Sequence, residues 1–230
     1  MTTIYHVTPI TPEDRLRALV LRHFCVSYAY PQQAHVMDHV AAGVMFDNGA
    51  YRAHTKGWKV NWPGFYEWLE PRLFLPGRWA VIPDVIAEGG QAQDALIEQW
   101  PYGHRGAPVW HTGEPIERLL RLLDTWPRVC IGSTDEHWQI WKPGMHGRVL
   151  HPDWKARMDE TWTEIGKRHP DPVIHMLRGT GVSDLYPFHS ADSSSLGQNG
   201  HRYKMPLFAG TDAEHAGTIA YADRLERRRA

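Results

Sequence analysis

The stretch Pro115-Ile116-Glu117-Arg118-Leu119-Leu120-Arg121-Leu122-Leu123-Asp124-Thr125-Trp126-Pro127-Arg128-Val129-Cys130-Ile131-Gly132 changes periodicity part-way along. Ile116, Leu119, Leu120, Leu123 and Trp126 recur at three-to-four-residue spacing, which puts an apolar stripe on a helix above a mixed polar face. Pro127 cannot continue that helix and disfavours helical backbone in the residue before it. The run Val129 to Ile131 then reads as a short buried strand. A helix that stops at proline and feeds a buried strand is the repeating unit of a parallel α/β fold.

Outward from this unit, eight short apolar segments stand out: Thr3 to Val7, Phe24 to Ala29, Gly43 to Asp47, Trp79 to Pro83, Ala107 to Trp110, Arg128 to Gly132, Val173 to Leu177 and Phe188 to Ala191. Several are almost continuously apolar, as strands covered on both faces are. Helical signals separate them. Thr11 is placed to cap a helix starting at Pro12, with Asp14 in the reciprocal position and Leu16, Leu19 and Val20 as its stripe. Trp154, Met158, Trp162 and Ile165 share a stripe from Pro152 onward, and His169-Pro170 closes it. Asp212 to Ala230 reads as a C-terminal helix whose Glu226-Arg227-Arg228-Arg229 end is solvated. Eight strands alternating with helices predict a compact (β/α)8 TIM-type barrel, one domain over residues 1–230 with a C-terminal helix at about 212–230. Arg52 to Asn61, Lys142 to Val149 and Ser193 to His201 lack periodicity and are expected as loops, the first and last at the active face.

Composition narrows the function classes. The chain has 230 residues, 42% hydrophobic and 22% charged, enough for one domain with a substantial core. A formal net charge of −1 supplies no global attraction to nucleic acid, so any such contact must be local. Cys25 and Cys130 lie inside apolar runs and read as buried thiols of an intracellular protein, too few for a four-cysteine zinc site. There is no His-Glu-Xaa-Xaa-His pattern and no phosphate-binding glycine loop, so neither metal nor cofactor is expected. No basic leader precedes an apolar signal region and no stretch approaches 18 apolar residues. A soluble, cytoplasmic protein with no membrane partner is the expectation.

Three acids fall at strand ends. Asp47 ends Val44-Met45-Phe46, at what would be the C-terminal mouth of a barrel, where a carboxylate can exchange protons with a substrate. An Asp-Asn-Gly turn through Asn48 and Gly49 accounts for the same residues. Asp84 follows Trp79 to Pro83 and either recognises N–H donors or caps the next segment. Asp192, followed by Ser193-Ser194-Ser195, is either a nucleophile or the cap of a serine-rich turn. Gly132-Ser133-Thr134 offers backbone donors and a hydroxyl, and also suits a helix cap. His111 follows a strand without forming a triad.

These landmarks, in order across residues 24 to 204, resemble the queuine/archaeosine tRNA-guanine transglycosylase superfamily, closest to its small phage-type DNA members that insert 7-deazaguanine bases. Phe46-Asp47-Asn48-Gly49-Ala50-Tyr51 resembles the family's Asp-Ser-Gly-Gly-Phe region, and Ile82-Pro83-Asp84 its base-recognition strand end. Pro108-Val109-Trp110-His111 sits at a pocket segment but carries histidine in place of the usual amide. Ile131-Gly132-Ser133-Thr134 resembles the glycine-rich base-binding turn, and His175-Met176-Leu177-Arg178-Gly179-Thr180-Gly181 the segment before the final strand. Ser190-Ala191-Asp192 resembles the nucleophilic strand end, and Asn199-Gly200-His201-Arg202-Tyr203 the Asn-Gly-His pattern. The cysteine-rich zinc insertion of the tRNA enzymes is missing.

The resemblance implies a DNA guanine transglycosylase, a pentosyltransferase with DNA and a free 7-deazaguanine base as partners and, if phage-encoded, a host-cytoplasmic location. Asp192 would attack C1′ and form a covalent aspartyl-DNA intermediate, with Asp47 moving the proton of the leaving guanine. Tyr51, Asp84, Gly132, Ser133 and His111 would form the base pocket. Arg178, Arg202, Lys204, Asn199 and His201 would contact the nucleic acid. An N-glycoside hydrolase using the same nucleophile and a non-catalytic DNA-binding barrel are the alternatives.

Overall fold

A computed structural model describes residues 2–86, 89–133, 137–140, 149–200 and 213–227. Nine short strands form one sheet: β1 Thr3–Val7, β2 Arg22–Ser27, β3 Ala41–Asp47, β4 Arg78–Val81, β5 Gly106–Ala107, β6 Val109–His111, β7 Val129–Gly132, β8 Ile174–Met176 and β9 Ser190–Ser193. Their order is β5-β4-β3-β2-β1-β9-β8-β7-β6, and every neighbouring pair is parallel. The two end strands are adjacent in the chain, on either side of Pro108. Residues 106–111 therefore act as one stave that pairs with β4 through its first half and β7 through its second. The result is the expected α/β barrel of TIM type, with eight staves and the seam at Pro108.

The surrounding helices are α1 Glu13–Arg17, α2 Met37–Val40, α3 Ala50–Lys56, α4 Trp62–Leu73, α5 Gly90–Glu98, α6 Ile116–Thr125, α7 Pro152–Gly166, α8 Ser195–Asn199 and α9 Ala213–Arg227. In α6, Ile116, Leu119 and Leu122 are buried while Leu120 and Leu123, with Trp126 just past the helix end, pack partly covered against the same cluster. Trp154, Met158 and Ile165 of α7 are likewise core. Among the described residues no helix is long and apolar enough to cross a membrane.

Strand alternation divides the side chains into two shells. Tyr5, Cys25, Met45, Trp79, Val81, Ala107, Val109 and Cys130 form the cluster inside the barrel. Their neighbours Phe24, Val26, Val44, Phe46, Ala80 and Ile82 face outward and pack against the helices. The apolar runs are continuous because both shells are dry. Toward the N-terminal end of the barrel, Trp79 donates from Nε1 to the Tyr5 hydroxyl at 3.0 Å, and the Arg128 guanidinium lies 4.4 Å from the centre of the Trp79 indole.

Several boundaries differ from the sequence expectation. The last strand begins at Ser190 because Phe188 leaves the ladder to pack edge-on against Trp162, at 5.4 Å between ring centres. Asp192 consequently lies within β9, opposite Tyr5 of β1, and not beyond a strand. Thr11 does not cap α1: Pro12 occupies the cap position with no side-chain bond, and the Asp14 carboxylate accepts from the next backbone N–H. Arg52 to Asn61 is helical over its first half, in α3. Ser193 to His201 includes α8. Most of Lys142 to Val149 lies outside the described residues, as do His201, Arg202 and Lys204.

Helix α9 is fastened to the barrel by charge as well as by Ala222 and Leu225. Arg22 bonds both Asp223 and Glu226, and Glu226 also meets His6 Nε2 at 2.8 Å. Burial opposes ionisation of Glu226, yet the bonds from His6 and Arg22 outweigh it and hold its carboxyl below the ordinary range. A depressed folded-state pKa contributes stability above the unfolded value and loses it as pH falls through the folded one. Glu226→Gln is therefore expected to lower stability at neutral pH by roughly 1 kcal/mol, as a partly screened pair should. In denaturant titrations the gap to wild type should close as pH falls below the ordinary value of 4.5.

Candidate active site at the barrel mouth

The inward alternation continues past the apolar layer and ends in polar residues. Two positions beyond Met45 comes Asp47; Ser27 follows Cys25, His111 follows Val109, and Gly132 follows Cys130 in the same way. On β9 the inward pair is Ser190 and Asp192. These side chains meet at the C-terminal ends of the strands, where (β/α)8 barrels carry their chemistry. A cavity of about 540 Å³ opens there, lined by Ser27, Asp47, Asp84, His111, Gly132 and Asp192, among others.

Each of the three acids has two partners on a single oxygen. Asp47 Oδ2 accepts from Ser27 Oγ at 2.6 Å and from the Gly49 N–H at 3.2 Å. Asp192 Oδ1 accepts from the Arg178 N–H at 2.7 Å and meets His175 Nε2 at 3.2 Å. Asp84 Oδ1 accepts from Gln93 Nε2 and meets His111 Nε2 at 3.1 Å. Among the described residues the second oxygen of each has no protein partner, and all three residues line the cavity.

Local sequence explains how these groups are held. Gly49 adopts a left-handed φ of 79°, and a Cβ there would stand 3.1 Å from the Ala29 nitrogen. This lets the chain double back so that the Gly49 N–H reaches Asp47. Asn48 ties the turn to the neighbouring stave by donating to the Ile82 carbonyl at 2.7 Å. The loop after β6 is braced by Glu114, which accepts from the His111 N–H at 3.1 Å and from Arg118 at 2.9 Å. Arg118 also bonds Asp94 of α5.

The acids and bases sit in distinct electrostatic settings. Burial raises the Asp47 pKa; Ser27 opposes the rise, the charge of Asp192 adds to it, and Gly49 and Arg178 oppose it. Burial lowers the His175 pKa, with Asp192 opposing. For His111 burial acts downward, but the bond and charge of Asp84, aided by Glu114, leave the net shift upward. Burial, with Asp192 and Asp47 nearby, pushes the Cys25 thiol well above its ordinary range, which makes it an unreactive floor.

At the rim the Arg178 guanidinium stacks 3.4 Å from the centre of the Tyr51 ring and 4.7 Å from Trp138. Arg52 stacks on Tyr30 at 5.2 Å. Asp47, Asp84, Asp192, Tyr51, Gly132, His111 and Arg178 are thus brought together. Ser133 is not among the lining residues; it is buried, and its Oγ accepts from Trp154 Nε1 at 2.9 Å. Asn199 ends α8 and is not among the lining residues, although Gly197 and Gln198 of the same helix are. His201, Arg202 and Lys204 fall outside the described residues. Sequence reading missed Ser27, Gln93 and the link from His175 to Asp192; only the period-two spacing of Ser27 above Cys25 was available as a signal. Among the described residues no group of three or more His, Cys, Asp or Glu is arranged to hold a metal.

Comparison with known proteins does not return the expected superfamily. No family model matches the chain, and no curated protein does. The fold is similar to that of a solved tryptophan synthase from M. tuberculosis, in its open form with BRD0059 bound. That match has 14% identity and a TM-score of 0.42, over 97% of this chain and 92% of the synthase chain. The transglycosylase assignment is corrected accordingly, since neither a family model nor a curated protein returns that superfamily. Guanine exchange on DNA, its aspartyl-DNA intermediate and the phage-type relationship, all derived from the assignment, are corrected with it. So distant a likeness to the synthase brings no activity to this chain. The barrel itself resembles those of catalytic TIM-barrel enzymes in general.

Two outcomes test the site's physics. A Cβ on Gly132 would lie 2.8 Å from His111 Nδ1, so Gly132→Ala is expected to push the imidazole off Asp84. Overpacking of this kind costs about 1–3 kcal/mol, measurable by denaturant unfolding, and the His111 ring resonances should move with it. For Asp47 the folded pKa is raised, so its contribution to stability is full below the ordinary value of 3.8 and is lost as pH rises through the folded value. Asp47→Asn should therefore melt higher than wild type at neutral pH, with the advantage shrinking toward pH 3.8.

Proposed function

We propose that the chain is an enzyme of acid–base type, in which Asp47 and Asp192 take opposite roles on one small molecule bound in the mouth. The observation that carries this reading is the different company of two neighbouring acids on one cavity: Asp192 meets a histidine, Asp47 a serine hydroxyl and a backbone N–H. Burial and the charge of Asp192 raise the Asp47 pKa, which favours its protonated form. Asp192 Oδ1 accepts from the Arg178 N–H and meets His175 Nε2, a partner that Asp47 lacks. Paired acids in contrasting environments are how one site supplies both a proton donor and a base or nucleophile. Asp47 would donate through its unpartnered Oδ1, and Asp192 would accept a proton or attack through Oδ2.

The substrate class follows from the free valences. Among the described residues Asp47, Asp84 and Asp192 each offer an oxygen without a protein partner, so the cavity floor favours a ligand rich in N–H or O–H donors. The two arginines of the rim are stacked on tyrosines, and Asp84 lies deep with His111. A neutral or cationic ligand fits this charge pattern better than a phosphorylated one. His111, whose pKa is raised beside Asp84, would complete the hold on that ligand.

The test uses the full-length protein in deuterium oxide with a panel of polyols, amino sugars, amidines and their phosphorylated counterparts. A compound that raises the melting temperature should also take up deuterium at carbon or change mass. Asp47→Asn and Asp192→Asn should each keep the thermal shift while slowing conversion by on the order of a hundredfold or more. Undiminished conversion by both folded variants would remove the two acids from the chemistry. Stabilisation by phosphorylated compounds alone would overturn the substrate class.

A further inference from the structure

We propose that His175 is the positioning residue for Asp192, locked by Ser190 into the tautomer that carries its proton on Nε2. The inference rests on the reading of Asp192 as the reacting carboxylate and adds the group that aims it.

Strand register brings the three side chains together. His175 pairs with Ser190 across β8 and β9, and the two-residue spacing of Ser190 and Asp192 turns both into the barrel. The imidazole is wholly buried, with its ring 5.7 Å from Tyr5 and 5.2 Å from Trp79 in edge contacts. Nδ1 lies 2.8 Å from Ser190 Oγ and Nε2 lies 3.2 Å from Asp192 Oδ1. A neutral imidazole has one donor and one acceptor, and a carboxylate only accepts. Nε2 must therefore donate to Asp192. Nδ1 is left as the acceptor, and the Ser190 hydroxyl donates to it.

Every valence in this chain is used once, which is why the arrangement selects a single ring orientation. Turning the ring over would set carbon against both Ser190 and Asp192, and the other tautomer would set an unprotonated nitrogen against a carboxylate. Burial opposes the second proton that would remove the distinction between the nitrogens. The Arg178 N–H reaches the same Oδ1, so the carboxylate plane is held by two donors while Oδ2 stays available. Aiming of this kind matters because displacement by about 1 Å from an attacking geometry costs on the order of a hundredfold in rate.

Glycidol, a small neutral epoxide bearing a hydroxyl, serves as the probe. Attack by Asp192 Oδ2 forms a C–O bond and breaks the ring C–O bond, and the resulting alkoxide takes the proton of Asp47. The product is an ester at Asp192, read by peptide mass spectrometry. Wild type should be esterified at Asp192, His175→Phe roughly a hundredfold more slowly, and His175→Gln faster than His175→Phe, since its terminal amide N–H can still donate to Asp192. Ser190→Ala should fall between them. Nitrogen-15 NMR of the ring in full-length wild type should show protonated Nε2 and bare Nδ1 at neutral pH.

Equal labelling in wild type and folded His175→Phe, or a ring protonated at Nδ1, would overturn the role of His175 and leave Asp192 as the reacting acid. An unlabelled Asp192 in wild type would instead overturn the reading of Asp192 itself, and the positioning role would fall with it. If His175→Phe does not fold, the Ser190→Ala rate and the ring spectrum decide the question.

Discussion

A parallel sheet left open exposes unpaired backbone donors and acceptors at two edges, and in this chain residues 106–111 remove both. Their first half pairs with β4 and their second with β7. Pro108 sits at the handover, where its missing N–H interrupts the ladder and its carbonyl still accepts from the Cys130 N–H at 2.8 Å. Once the ring is closed, each stave has an inside and an outside. The inward set is then defined by alternation alone, which converts a linear spacing of two residues into stacked layers within one interior.

The layers explain why the mouth is chemical while the middle is inert. Below, Met45, Val81, Ala107 and Val109 fill the interior. One layer up, the same inward positions carry Asp47, His111 and Gly132, with Asp192 beside them. Placing several acids in so confined a space is costly unless each is hydrogen-bonded. The structure meets that cost on one oxygen of each acid, through Ser27 and Gly49, through His175 and Arg178, and through His111 and Gln93. Among the described residues the other oxygen of each acid has no protein partner, so each presents an acceptor to the cavity.

The same arrangement ties stability to chemistry. Burial and a neighbouring acid make ionisation of Asp47 less favourable, which raises its pKa. Loops carry the supporting bonds: Gly49 and Asn48 after β3, Glu114 after β6, Arg178 after β8. The elements beneath are held by packing and by local charge, such as the Arg22 cluster that docks α9. The framework and the site thus draw on separate interactions.

Alternating apolar segments and proline-stopped helices were legible in the chain because they are local, and they determined a (β/α)8 barrel and the strand-end placement of Asp47 and Asp84. The spacing of Ser190 and Asp192 was legible too, but not that Asp192 falls inside a strand, since Phe188 is drawn off by Trp162. Local sequence could not distinguish a capping acid from a cavity acid: the difference lies in which donors arrive from distant staves. His175 came from another strand to meet Asp192, Gln93 from a helix to meet Asp84, and Ser27 from the adjacent strand to meet Asp47. Those meetings depend on register around a closed ring, and register is a property of the folded sheet, so only the tertiary structure decided which acids share a cavity and which oxygen each leaves free.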